Sequence, residues 1–143
     1  MSKPPTCEQL AKSGSEHSHQ VAVMHWANCN LERWPELKWL YAVPNGGTRG
    51  DTGDMAARRG AALKAEGVKA GVLDLALDVS RGGYHGLKIE MKKVFDLSKP
   101  SEQFASKEQL EFIAFLREQG YCAGVCQGWQ QAIGVLEWYM ELK

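Results

Sequence analysis

Among the charged residues of the segment 71–93, GVLDLALDVSRGGYHGLKIEMKK, the types and spacing of Asp74, Glu90 and Lys92 could do chemistry together. Its pattern predicts two short apolar strands joined by a glycine-rich turn, with Asp74 on the first strand and Glu90 and Lys92 on the second. Side chains alternate between strand faces, so Glu90 and Lys92 point to the same side. Mg2+ prefers carboxylate oxygens, and a nearby lysine can help deprotonate water and stabilise charge on phosphorus. The segment therefore indicates a divalent-metal site for cutting phosphodiester bonds.

The register of this hairpin decides whether the two carboxylates meet. If the numbers of facing residues add up to 164, Asp74 lies opposite Glu90. Facing like charges destabilise a sheet by on the order of 0.2–1 kcal/mol, which a bound cation would offset. A one-residue slip would scramble the two faces. The alternative interpretation is a solvated sheet face on which Asp74 forms a salt bridge with Lys88 or Lys92.

Composition is that of one globular domain of 143 residues with four scattered cysteines, for which we expect reduced thiols rather than a zinc site. The chain has no long apolar run and no signal-peptide pattern, so we expect a cytoplasmic protein. The formal net charge is zero, but residues 49–93 carry nine Lys/Arg against six Asp/Glu. This local basic excess is compatible with DNA binding.

Proline, glycine and helix-capping residues divide the chain into a loose arm, 1–14, and a single domain, 15–143. Within the domain we predict helices at 15–28, 54–66, 106–119 and 127–142, and strands at 39–43, in the two arms of the hairpin, and at 121–125. In the third helix the predicted inward residues are Leu110, Ile113, Ala114 and Phe115. This order predicts an α/β (α+β) fold with a mixed sheet flanked by helices.

With these segments in place, the chain resembles the stand-alone VRR-NUC domains of the PD-(D/E)xK nuclease superfamily, which are common in bacteriophages and bacteria. The resemblance runs from about residue 15 to the C-terminal helix. Five segments carry it in the same order: Glu16-x-x-x-Gln20, residues 43–47 (VPNGG), residues 67–74 (GVKAGVLD), residues 86–92 (GLKIEMK), and Glu108-Gln109 leading to Gly120-Tyr121. One departure is Leu73, which stands where the family usually has proline.

The resemblance implies a restriction-endonuclease-like α-β-β-β-α-β core, here with an added helix, and a Mg2+ or Mn2+ cofactor. Asp74, Glu90 and the backbone carbonyl of Met91 match the family's metal ligands, and Lys92 matches its catalytic lysine. Two further family positions complete the implied site: Glu16, the first-helix acid and a further metal ligand, and Gln109, which helps to orient the site or substrate.

Several residues outside this centre are candidates for DNA binding. The loop around Gly46 could let a phosphate approach bare backbone amides, with Arg49 pairing to it, and plain turn chemistry is an equal alternative. The complete set of candidates is Asn45, Gly46, Gly47, Arg49, Arg58, Arg59 and Lys93. For Arg58 and Arg59, solvated helix charge is an equal alternative.

The predicted function is that of a metal-dependent DNA endonuclease. The resemblance implies structure-specific cutting of branched DNA, with four-way junctions the leading candidate, and the paired cuts of a junction would suit a homodimer. Two alternatives stay open: a non-catalytic DNA-binding or interaction module on the same fold, and a restriction-type nuclease that cuts duplex DNA.

Overall fold

The computed structural model describes residues 2–44 and 52–143. In chain order the elements are α1 (Cys7–Leu10), α2 (Glu16–Cys29), a 3-10 helix (Pro35–Trp39), β1 (Tyr41–Ala42), α3 (Gly53–Ala65), β2 (Leu75–Leu77), β3 (Leu87–Lys92), a second 3-10 helix (Ser101–Phe104), α4 (Lys107–Glu118), β4 (Cys122–Gln127) and α5 (Gly128–Glu141). The predicted α-β-β-β-α-β core with an added helix, α3, is confirmed.

The strands in the described residues form one mixed sheet with the order β1-β2-β3-β4. β1 pairs with β2 and β2 with β3 in antiparallel fashion, whereas β3 and β4 are parallel. Parallel neighbours need a crossover connection, and here α4 lies within it. The sheet therefore has the mixed α/β character that the sequence predicts.

Two apolar clusters attach the helices to opposite faces of this sheet. The larger cluster joins α2 and α5 to β2 and β3 through residues such as Val23, Leu136 and Ile89. The smaller one joins α4 to Leu73 and β4. Leu73, at the position where the family usually has proline, is thus a core residue that holds α4 against the sheet.

The register of the hairpin agrees with the prediction. Leu75 faces Ile89, Ala76 faces Lys88 and Leu77 faces Leu87, so each pair of numbers adds up to 164. β3 is paired on both sides and its apolar residues are buried against α2 and α5. A slip of one residue would expose that entire apolar set, which is why the pattern specifies the register.

Three local predictions differ from the structure. The segment 1–14 contains the short helix α1, which a reciprocal capping box between Thr6 and Gln9 begins. The strand predicted at 39–43 starts only at Tyr41, because Pro35 opens a 3-10 helix that extends to Trp39.

The third difference concerns the face that α4 turns towards the sheet. Ile113 and Leu116 are its buried residues, whereas Leu110 and Phe115 are exposed and the predicted inward position of Ala114 is also wrong. The inward line of α4 thus runs through positions 109, 113 and 116, which share one face of a helix. Gln109 belongs to this line.

All four cysteines are free thiols, as predicted. Within residues 2–44 and 52–143 no helix has the length and apolar character needed to span a membrane.

Candidate active site

Asp74 lies just before β2 and is fixed by two backbone contacts. Its carbonyl accepts a hydrogen bond from the amide of Val43 at 2.8 Å, which continues the pairing of β1 with β2. Its carboxylate Oδ2 accepts the amide of Met91 at 2.8 Å. The amide and carbonyl of a strand residue point to the same neighbour, so the Met91 carbonyl is also directed to the Asp74 side of β3.

Glu90 carries the buried carboxylate of the site and is only 3% exposed. Its Oε1 accepts a hydrogen bond of 2.7 Å from the Gln109 side-chain amide, and the Lys92 ammonium lies 3.6 Å from the same oxygen. Its Oε2 is buried and has no hydrogen-bond partner among the described residues. A buried carboxylate oxygen without a partner is unfavourable by itself, so this atom is a natural position for a ligand.

The electrostatics of the site favour an added positive charge. Burial raises the pKa of Glu90 from 4.5 to about 8, and the neighbouring Asp74 carboxylate adds to the rise, while Lys92 opposes it. Without a cation, the Asp74–Glu90 pair therefore holds a proton near neutral pH. A divalent cation would replace that proton and favour the ionised form of Glu90.

Lys92 lies between the buried and the exposed acid of the site. Its ammonium is 3.6 Å from Glu90 and 3.9 Å from Glu16, and its side chain is 16% exposed. Glu16 is the first residue of α2, which Ser15 caps by accepting a hydrogen bond from the amide of Ser18. The fold thus brings Glu16 close to Lys92, which is 76 positions later in the sequence and adjoins Glu90.

The predicted metal ligand Glu16 lies on the Lys92 side of the carboxylate pair, near enough to help raise the pKa of Glu90. Among the residues that the structure describes, no group of three or more His, Cys, Asp or Glu side chains could hold a metal ion. Asp74 and Glu90 adjoin each other, whereas Glu16 reaches Lys92. Two carboxylates, one carbonyl and waters are a suitable set for Mg2+, which keeps several waters, so the residues present fit the implied ion.

α4 approaches the carboxylate pair through two sequence features. Gly71 has a φ of +88°, and a Cβ there would lie 2.6 Å from the Glu108 backbone, so only glycine allows this close approach. Ser106 caps α4 by a reciprocal box with Gln109: the Ser106 hydroxyl accepts the Gln109 amide at 3.1 Å, and the Gln109 side-chain oxygen accepts the Ser106 amide at 2.8 Å.

This capping box determines which end of the Gln109 amide faces Glu90. Because the side-chain oxygen is engaged by the Ser106 backbone, the NH2 group points to Glu90 Oε1. The roles of Gly71 and Ser106 were not predicted from the sequence. The Ser-x-x-Gln spacing at the start of a helix was the signal that could have revealed the second.

The candidate DNA-binding residues are distributed unevenly with respect to this centre. Asn45, Gly46, Gly47 and Arg49 lie outside the described residues. Arg58 is exposed and Arg59 half-buried on α3, which has no buried residue. Lys93 is exposed directly after Lys92, with its ammonium 5.0 Å from the centroid of the Phe95 ring. These assignments stay predictions.

The fold and the site define a class: a mixed α/β domain with two adjoining carboxylates and a lysine on its central hairpin. A solved structure described as a "VRR_NUC domain protein" is similar to this chain, with 32% sequence identity over 90% of each chain and a TM-score of 0.66. No family model matches the chain, and no curated protein does. On the structural match, the chain belongs to the VRR-NUC domain family.

Proposed function

We propose that this protein is a Mg2+- or Mn2+-dependent endonuclease that hydrolyses phosphodiester bonds in DNA. The observation that carries the proposal is the buried Glu90, with one carboxylate oxygen bound by Gln109 and the other without a partner beside Asp74. A divalent ion bound at Glu90 Oε2 would satisfy this buried oxygen and favour the ionised form of Glu90.

Each site residue has a separate task in this proposal. Asp74, Glu90 and the Met91 carbonyl would hold the ion, which when bound supplies Lewis-acid stabilisation of charge on the phosphate and a more acidic water. Gln109 holds Glu90 Oε1 so that Oε2 stays available. Lys92 Nζ can orient the attacking water. It can also donate hydrogen bonds to the phosphate oxygens on which negative charge develops.

Glu16 balances the charge of Lys92 on the exposed side. Its carboxylate is 53% exposed, and at 3.9 Å it attracts the Lys92 ammonium without forming a short hydrogen bond. The ammonium is therefore placed between two acids and remains able to turn to a substrate. Solvent reaches it only in part, which strengthens its interaction with a phosphate.

The preferred substrate in this proposal is branched DNA, in particular a four-way junction, in keeping with the family. Junction resolution needs two symmetric cuts, so we propose that the active form is a homodimer. The basic excess in residues 49–93 places positive charge in the same part of the chain as the site. Phosphate contacts of this kind position DNA and weaken with salt.

The test is a cleavage panel of labelled four-way junction, flap, nicked and plain duplex DNA, each with Mg2+, with Mn2+ and with EDTA. We expect metal-dependent cutting, strongest on junction DNA, from a protein that elutes as a dimer. Lys92→Ala should lose cutting by about a hundredfold or more while it remains folded. Lys88→Ala, on the same strand and face, is the matched control and should still cut.

Three outcomes would contradict parts of this proposal. Unchanged cutting by Lys92→Ala would overturn the catalytic assignment. Binding without cutting on every substrate in Mn2+ would identify a non-catalytic DNA-binding module. Cutting confined to one sequence in plain duplex DNA would identify a restriction-type nuclease.

A further inference from the structure

The connection between β3 and α4 exposes apolar side chains beside the proposed active site. Val94, Phe95 and Leu97 are 46%, 51% and 57% exposed. The ring of Phe95 stacks on that of Phe104, with centroids 4.9 Å apart and an angle of 11° between the planes. Exposed apolar surface is unfavourable in water, so a flat aromatic pair here points to a binding role.

A buried amide holds the backbone that presents Phe95. Gln127 is 1% exposed, and its side-chain oxygen accepts the amides of Phe95 at 3.0 Å and Asp96 at 2.9 Å. Its NH2 group donates to the Asp96 carbonyl at 3.0 Å. Gln127 also pairs with Lys92 in the sheet, so the ring is tied to the strand that carries the catalytic lysine.

Phe95 and Phe104 lie near the two ends of the connection between β3 and α4, and each end is close in sequence to a residue of the proposed site. Phe95 follows Lys92 by three residues, and Phe104 precedes Gln109 by five. Three residues span at most about 11 Å, so the Phe95 and Lys92 backbones lie within that distance. Successive nucleotides of one strand rise by about 3.4 Å, so this distance corresponds to roughly three nucleotides.

We propose that Phe95, supported by Phe104, is a stacking platform for an unpaired base of the DNA substrate, within a few nucleotides of the scissile phosphate. The proposal rests on the proposed function and deepens it by naming a substrate feature. An unpaired base offers an open face that stacks on an aromatic ring without sequence preference, whereas duplex bases are already stacked. The Lys93 ammonium lies over the Phe95 ring, 5.0 Å from its centroid, and Phe104 stacks on the same ring. When a base stacks on Phe95, the exposed Lys93 side chain moves aside and binds the phosphate of the same nucleotide.

The platform would select DNA with an opened branch over intact duplex. A protein partner would also cover an apolar surface, but it would use Leu97, the most exposed residue of the three, as much as Phe95. A stacked base would contact the Phe95 ring and not Leu97. The two occupants are therefore separated by which side chain matters.

The experiment measures binding in EDTA, where no cutting occurs, at one fixed salt concentration. The probes are a plain duplex and a branched DNA with 2-aminopurine at unpaired positions one to four nucleotides from the branch. We expect the wild-type protein to quench the 2-aminopurine fluorescence at one of these positions. Phe95→Ala should abolish the quenching and weaken binding of the branched DNA about tenfold, with duplex affinity unchanged.

Two further variants make the result specific. Phe95→Trp should restore quenching and affinity, and Leu97→Ala, exposed on the same connection, should behave as wild type. An unchanged preference for branched DNA in Phe95→Ala would overturn the platform, and so would an equal loss in Leu97→Ala. If Phe95→Ala binds normally while metal-dependent cutting persists, only the platform fails. If quenching occurs but no metal supports cutting, the platform stands and the proposed endonuclease fails.

Discussion

Two polar groups lie on one face of the β2–β3 hairpin, and the pKa of an acid in each group is shifted in opposite directions. Asp78, after the end of β2, accepts hydrogen bonds from Lys88 at 3.0 Å and from the Tyr41 hydroxyl at 2.9 Å. Asp74, before the start of β2, lies beside the acid Glu90. The hydrogen bond from Lys88 lowers the pKa of Asp78, whereas burial and Asp74 raise that of Glu90 to about 8.

The difference separates a structural polar group from a functional one. The Asp78 group is exposed at its carboxylate and satisfied by its partners, so nothing further is needed there. Glu90 is almost fully buried, and its Oε2 has no hydrogen-bond partner among the described residues, an arrangement that typically persists where function requires it. Lys88 is bound to Asp78, which leaves Lys92 as the lysine beside Glu90.

The largest expected effect is the loss of cleavage when Glu90 is neutralised, compared with neutralising Asp78 in the other group. Glu90→Gln should reduce metal-dependent cleavage by about a thousandfold or more, because a metal ligand worth several kcal/mol of charge stabilisation is lost. Asp78→Asn, the matched control, should cut normally and lose less than about 1 kcal/mol of stability, as expected for an exposed ion pair. Steady-state cleavage and urea unfolding measure both. Equal losses of cleavage in the two variants would remove the distinction between the groups.

The second prediction concerns stability as a function of pH without metal. Glu90 ionises at about 4.5 when unfolded and at about 8 when folded, so between these values the folded protein holds the extra proton. The contribution of this proton to the free energy of unfolding is therefore present in full below about pH 4.5, and it is lost as the pH rises to about 8. We expect wild-type stability to fall over this range, relative to Glu90→Gln, by on the order of 3–5 kcal/mol.

Urea unfolding in EDTA at several pH values measures this difference, and subtraction of the Glu90→Gln data removes the titration of other groups. Saturating Mg2+ should stabilise the wild type most at high pH, where it competes with fewer protons. A flat difference between pH 4.5 and 8 would contradict the raised pKa.

The smallest effect should come from the cap that orients Gln109. Ser106→Ala should cost about 1 kcal/mol of stability, as loss of a helix cap does. It should also lower cleavage about three- to tenfold, because the Gln109 amide loses part of its fixed orientation towards Glu90. Thr6→Ala removes the same type of capping box from α1 and is the matched control.

Thr6→Ala should leave cleavage at the wild-type rate, and Ser106→Thr should restore it. If both alanine variants cut equally well, the Ser106 cap has only a structural role. Cleavage is the deciding readout, because the cost in stability alone does not distinguish the two caps.

Local and hairpin features were predictable because their signals are short-range. The alternation of apolar side chains specified the register that sets Asp74 beside Glu90, and Ser15 marked the start of α2. The inward face of α4 was not predictable in the same way. Helical spacing allowed several faces, and the contact of Gln109 with Glu90 selected the one with Ile113 and Leu116 inward.

The amino-acid pattern determined the order of elements, the pairing of β2 with β3 and the residue types of the site, because these depend on strand alternation and on family motifs. Tertiary packing determined the burial of Glu90, the direction of the Gln109 amide, and the joining of Glu16 to Lys92. Packing also placed the Gln127 amide under Phe95. These properties depend on groups far apart in the chain, so the fold must form before their charges and hydrogen bonds exist.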